Sequence, residues 1–410
     1  MKNAFGTYLV IFVLVGLCLA SGAKAQDITV TWLVTADNIS TGFLPKVASD
    51  GQNFATTIDM MTAGPPPPPF PVLGHYDIPN SAFQYQVGAI LSASGYVAWT
   101  GDSEFLHSPP QPQGHHQIGH APSLALYFET GNPECDTAVE VHQGGQHHDS
   151  SLWFQLGSFC SPTTDITWFH ATNYAAGYNA TVAADNNETF PLKTTVVEVH
   201  QEAGDVSALW YQVGLLKGPG PLGAPPSITW GPSTPMTQSD GSPTQGNVPT
   251  VSVANNLAIL VAEGADGALW YSLGKVDTTT STIAWGDPIP YGEGYNPSVS
   301  IYGDGVSAYG VGKGRVVVEA HQTDSGTGQL VYSAGHLTGA PPTSITWSTT
   351  VNNPYATGCY PSVALSFDGY TPVNPSNASS SGVSLTATNE IECGDASTID
   401  YWFGYLVSNP

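Results

Sequence analysis

The sequence predicts an all-β chain folded as a six-bladed β-propeller of four-stranded antiparallel blades, with the last blade closed by the N-terminal strand. Three observations carry that prediction: a four-part segment pattern that recurs along the chain, closing tryptophans at near-regular intervals, and a last copy whose missing segment stands at the opposite end of the chain. The composition agrees with it. Of 410 residues 41% are hydrophobic, enough for a large core, while 45 Gly and 33 Pro supply turns and 10% charged residues are too few for a coiled coil or a disordered polyampholyte.

In chain order, residues 1–25 read as a signal peptide. Lys2 is the positive n-region, Tyr8 to Ala20 the apolar stretch, and Ala23-Lys24-Ala25 the small-x-small cleavage signal. The apolar run is shorter than the ~20 residues of a spanning helix, and Leu17 before Cys18 does not fit a lipid-anchor signal. A secreted or extracytoplasmic protein starting at Gln26 is expected, without stable membrane insertion, and 26–410 is read as a single propeller domain.

Ile28 to Trp32 (ITVTW) then supplies the strand that the last copy lacks. The first full copy runs through Phe43 to Ala48, Phe54 to Met60, Phe83 to Gly88 and Val97 to Gly101, and carries an insertion with Pro65 to Pro69. The clearest copy has Thr195 to Gln201 (TVVEVHQ), Ala208 to Gly214 (ALWYQVG) and Ser227 to Gly231 (SITWG). Equivalent segments surround Val139, Leu260 and Val318, and the last copy ends on Ile399 to Gly404 without a closing strand. The closing residues Trp32, Trp99, Trp168, Trp230, Trp285 and Trp347 fall 55 to 69 residues apart. β-Branched and aromatic residues separated by Gly, Asp, Asn and Pro turns make each copy a four-stranded sheet, and radial repetition protects the sheet edges.

The repeat frame pairs the cysteines of the exported chain. Cys135 and Cys160 flank one hairpin with the index sum of His142 and Trp153, which lie opposite each other, so a Cys135–Cys160 disulfide is expected; Cys359 and Cys393 flank the first hairpin of the last copy and are expected to pair too.

Charge narrows the function. Eight Lys plus Arg against 32 Asp plus Glu give a formal net charge of −24, and no cluster of cations exists to neutralise phosphates, so nucleic acid is excluded as a partner. A sialidase-like site grips a carboxylate with several arginines; this chain has one, Arg315.

Glu-x-His-Gln recurs at Glu140/His142/Gln143, Glu198/His200/Gln201 and Glu319/His321/Gln322, where Glu and His two apart on a strand share a face. The copies at Leu260/Ala262/Glu263 and Ala387/Asn389/Glu390 depart from it. Repetition suits blade-packing hydrogen bonds or several equivalent ligand sites better than one active site. Trp153, Trp210 and Trp270 are candidates to stack on sugar rings, set against a role as blade core. The histidines His115, His116 and His120, with His107 nearby and His147-His148 in the next hairpin, could bind zinc or copper, but the stretch is Gly/Pro/Gln-rich and reads first as a solvated loop, with metal binding the alternative. No cofactor, metal or catalytic residue is assigned.

The repeat of VEVHQ, LWYQVG and ITW segments resembles repeats of exported bacterial proteins and, more distantly, is similar to bacterial propeller lectins that bind fucose. That resemblance implies pockets between adjacent blades. The sequence reading is therefore a secreted, non-catalytic, lectin-like or adhesive propeller whose partner is a glycan or cell-surface glycoconjugate. Candidate ligand-binding residues are Glu140, His142, Trp153, Glu198, His200, Trp210, Trp270, Glu319 and His321. The alternative is an extracellular carbohydrate-active enzyme, a glycosidase or lyase, on the same scaffold.

Overall fold

The computed structural model describes residues 27–409 apart from loops, the longest of which are 63–80, 105–118 and 368–379. The expected leader at 1–25, the Pro65 to Pro69 insertion and His107, His115, His116, His147 and His148 lie outside the described residues. No helix among the described residues is long and apolar enough to cross a membrane.

The chain is all-β, and its strands form antiparallel ladders that each end on a closing tryptophan. In the Trp230 ladder, Thr172–Ala184, Thr194–Glu202, Leu209–Lys217 and Ser227–Trp230 follow one another, with His200 opposite Trp210 and Gly214 opposite Trp230. The Trp168, Trp285 and Trp347 ladders repeat this order. Both faces of these sheets are covered, so the second strands read as near-continuous apolar runs. Leu257–Glu263 is buried from Leu257 to Ala262. Its turn, Asn255-Asn256, takes φ of 52° and 58°, the pair of positive angles that a two-residue hairpin needs and that Asn tolerates.

The segments around Trp32 and Phe43 are parts of one strand, Asp27–Ser49. Its first half pairs with the final strand Ser397–Asn409, Ile28 opposite Ser408 and Trp32 opposite Gly404; its second half pairs with Phe54–Thr62. The register shifts between Ala36 and Ser40, and the change of partner falls between Gly42, opposite Ser397, and Phe43, opposite Met60. The Cys359–Cys393 disulfide forms as expected, with a Cα–Cα distance of 5.5 Å. Cys135 stands directly opposite Cys160 in the ladder.

Two sets of bonds tie neighbouring ladders. In the first, an aromatic residue after the "LW" tryptophan or its equivalent crosses to the next closing strand. Tyr211 packs edge-on against Trp285 at 6.0 Å, and its hydroxyl both donates to the Ile283 carbonyl and accepts the Ile283 N–H, at 3.2 Å each. Tyr271 receives Ile345 N–H and Tyr332 receives Val30 N–H, both at 3.1 Å, and Tyr85 donates to the Ile166 carbonyl. Phe154 packs on Trp230 in the same pose but carries no hydroxyl. Gly274 of the "LWYSLG" segment lies so close under this pairing that a Cβ there would come within 2.5 Å of the Trp285 ring.

In the second set, a hydroxyl on the inner strand of five ladders reaches the next ladder. Ser123 accepts Val182 N–H, Thr181 accepts Val251 N–H, Ser298 accepts Val363 N–H and Ser362 accepts Val47 N–H, at 3.0 to 3.4 Å; Thr250 donates to the Pro297 carbonyl. The Ser362–Val47 bond joins the ladder of the chain's end to that of its beginning.

Candidate active site

Five of the inner strands carry the same bulge. Ala121, Asn179, Val248, Asn296 and Tyr360 occupy equivalent positions with φ between 45° and 49°, and the register slips at each. A left-handed backbone is costly for a β-branched residue such as Val248. What holds it is a polar rim to which residues near the end of the second strands contribute. Gln201 accepts from the Asn179 side chain and donates to Asn247 Oδ1 at 3.1 Å, bridging its own bulge to the next. Gln322 likewise accepts from Asn296 Nδ2 at 2.6 Å and from Tyr360 N–H at 2.9 Å.

The register gives the occupants of this rim as Met60, Gln143, Gln201, Glu263, Gln322 and Glu390. Carboxylates replace amides in the Trp285 ladder and in the ladder closed by Trp32. Glu263 is partly exposed and takes the Asn296 backbone N–H; burial raises its pKa above the usual carboxylate value, and that hydrogen bond offsets part of the rise.

The Glu-His residues lie just inside the rim, in the interfaces between ladders. Glu140, Glu198 and Glu319 are fully buried, and each carboxylate is bonded to His142, His200 or His321 Nδ1 at 2.9 to 3.1 Å. Tyr174 faces Glu198, and Tyr291 faces Glu319. Burial first, then the neighbouring carboxylate, raises both tyrosine pKa values well above the ordinary one. For His321, burial alone would lower the pKa, but the Glu319 charge and hydrogen bond outweigh it and the value is raised.

These positions change together. Register equates Tyr174, Met236 and Tyr291, each one residue after the partner of Trp153, Trp210 or Trp270. Two interfaces carry Tyr174–Glu198–His200 and Tyr291–Glu319–His321. The interface between them carries Met236, Leu260 and Ala262, all in one apolar cluster. Trp153 and Trp210 are half-buried beside His142 and His200, with Trp153 Nε1 donating to Ser151 Oγ, whereas Trp270 is buried against Ala262.

Arg315 sits at the opposite end of the ladders. Its guanidinium donates to the Asn255 carbonyl at 3.0 Å and lies near Asp185, whose carboxylate accepts Asn255 and Asn256 N–H. Among the described residues no three His, Cys, Asp or Glu side chains gather as a metal site. The sequence reading did not assign Glu263 to the site, although the Gln-to-Glu departure from the repeat was its visible signal.

No protein-family model matches the sequence, and no curated protein matches it. Solved structures do. An α-L-arabinofuranosidase from Fusarium graminearum, a mutant in complex with an iminosugar inhibitor, matches with a TM-score of 0.50 at 13% identity, over 91% of this chain and 97% of that one. A Trypanosoma rangeli sialidase matches with a TM-score of 0.47 at 9% identity over 92% of this chain, which spans 59% of the sialidase's length. A GH43_1 enzyme from Xanthomonas citri matches with a TM-score of 0.43 at 12% identity, over 78% of this chain and 94% of that one. The arabinofuranosidase match, nearly complete over both chains, assigns the architecture to the propeller fold found among glycosidases. It also corrects the expectation of a non-catalytic lectin. The structure matched is an α-L-arabinofuranosidase, and the Glu and His residues offered as lectin contacts are buried against one another.

Proposed function

We propose that the chain is an exported glycoside hydrolase, built on a single six-bladed propeller over 26–410 that the N-terminal strand closes, with its active site at the bulged rim. The observation that carries this reading is Glu263, a carboxyl with a raised pKa standing where equivalent ladders place glutamine. Glycosidic cleavage needs an acid to meet the leaving oxygen, and partial burial shifts a carboxyl toward the protonated form. Glu263 would give its proton to the glycosidic oxygen as the C–O bond breaks. A second carboxylate must assist water or attack the sugar; the backbone register places Glu390 at the position equivalent to Glu263 in another ladder. Trp153 and Trp210 supply aromatic faces for sugar rings. The leader and the Cys359–Cys393 disulfide support export. Sialic acid is not the proposed substrate, because the single arginine is engaged at the far end of the ladders.

The test is a panel of neutral and acidic polysaccharides incubated with the purified full chain and its Glu263→Gln variant, with new reducing ends as the readout. Turnover by the wild type that falls about 10²–10⁴-fold in the variant is expected. No turnover of any polysaccharide, or full activity in the variant, would overturn the assignment.

A further inference from the structure

We propose that Lys46 forms, with the inner-strand hydroxyls, a subsite for the carboxylate of an acidic sugar, one step inside the rim that carries Glu263. The inference rests on the proposed function for its substrate class, and on a break in the repeat for its place. Lys46 stands opposite Ile58 in the register, as Ser123 stands opposite Val141, Thr181 opposite Val199, Thr250 opposite Val261, Ser298 opposite Ala320 and Ser362 opposite Thr388. Each of those five is a short hydroxyl bonded to the next ladder. The ladder of Trp99 alone among these puts a long cation at that level.

That cation is costly to keep there. Burial lowers the Lys46 pKa to about 8, and no carboxylate among the described residues pairs with it, since the ion pairs present are His142–Glu140, His200–Glu198 and His321–Glu319. An ammonium group held half out of water without a counter-ion gains most from an anionic ligand. The chain's other described cations do not compete for this role. Lys217 and Lys275 are exposed on outer strands, and Arg315 is bonded to Asn255. With a net charge of −24, the protein as a whole repels anions. A carboxylate-bearing sugar would therefore be selected locally, by Lys46 for its charge and by neighbouring hydroxyls for its ring oxygens.

The carboxylate needs the protonated lysine, which fixes the pH behaviour. With a pKa near 8, the protonated fraction falls about tenfold between pH 7 and pH 9, and affinity falls with it. The test is calorimetric titration of the full chain with D-glucuronate and D-galacturonate, and with D-glucose and D-galactose as uncharged counterparts, at pH 7 and pH 9. Lys46→Ser gives this ladder the residue type of the other five, and Lys46→Arg keeps the charge while removing its titration in this range; circular dichroism checks that each is folded. Expected are uronate binding at least tenfold tighter than that of the neutral sugar, its loss in Lys46→Ser, and binding in Lys46→Arg that no longer weakens at pH 9. Equal binding of charged and neutral sugars, no uronate binding, or unchanged binding in Lys46→Ser overturns the subsite. Hydrolysis of neutral polysaccharide that Lys46→Ser leaves intact would refute this proposal and spare the hydrolase. Uronate binding that depends on Lys46, without turnover of any polysaccharide, would do the reverse.

Discussion

The chain contains its own control for the buried Glu–His pairs. Glu319 is fully buried, holds His321 through Nδ1 and faces Tyr291; the adjacent interface fills the same three positions with Met236, Leu260 and Ala262. Removing one member strands the others. Glu319→Ala leaves the buried His321 imidazole without its partner, a loss of about 3–5 kcal/mol for a broken buried pair. Replacing all three, Tyr291→Met with Glu319→Leu and His321→Ala, removes the polar groups together and installs an apolar set that this fold already packs. The triple variant should lie within about 1 kcal/mol of wild type or above it. Equilibrium unfolding in guanidinium chloride reads both, at constant m-value. A Glu319→Ala midpoint equal to that of wild type, or a triple variant as unstable as the single one, would refute the reasoning.

Three further outcomes follow from the same interfaces. The raised His321 pKa means that its contribution to stability is fully present below the ordinary value of about 6.5 and is lost as pH rises through the folded value, so the stability difference between wild type and the triple variant shifts against wild type from pH 6 to pH 9. Tyr211→Phe deletes a hydroxyl bonded twice to Ile283 and should cost about 1–3 kcal/mol, whereas Phe154→Tyr, which gives its interface the same clamp toward Ile228, should raise the thermal midpoint. Cys359→Ser with Cys393→Ser opens a loop of sequence separation 34 and should cost roughly 3–4 kcal/mol, read as a lower midpoint that reductant produces equally in the wild type.

Much of the architecture was legible because a repeat exposes register. The index sum that sets His142 opposite Trp153 also set Cys135 opposite Cys160, and the orphan ITVTW segment does pair with the tail of the chain. What periodicity within a ladder does not reveal is contact between ladders. Tyr211 meets Ile283, 72 residues away, and Tyr271 meets Ile345, 74 away, so these clamps depend on how neighbouring sheets stack. Tyr174 lies near the start of the strand Thr172–Ala184, outside the repeated motifs, and its link to Glu198 emerges once Met236, Leu260 and Ala262 are seen to vary as a set. The Glu-x-His-Gln segments are what repeats, and they are buried in the interfaces. Glu263 and Lys46 stand out as exceptions to the repeat, and their meaning rests on burial and on the bulged backbone around them.

The most direct measurement is the position of a bound sugar. A crystal structure of the Glu263→Gln variant with an oligosaccharide should show a glycosidic oxygen within hydrogen-bond distance of residue 263, at the bulged rim. Density confined to the ladder interfaces around Trp153 and Trp210, with the rim empty, would contradict the account.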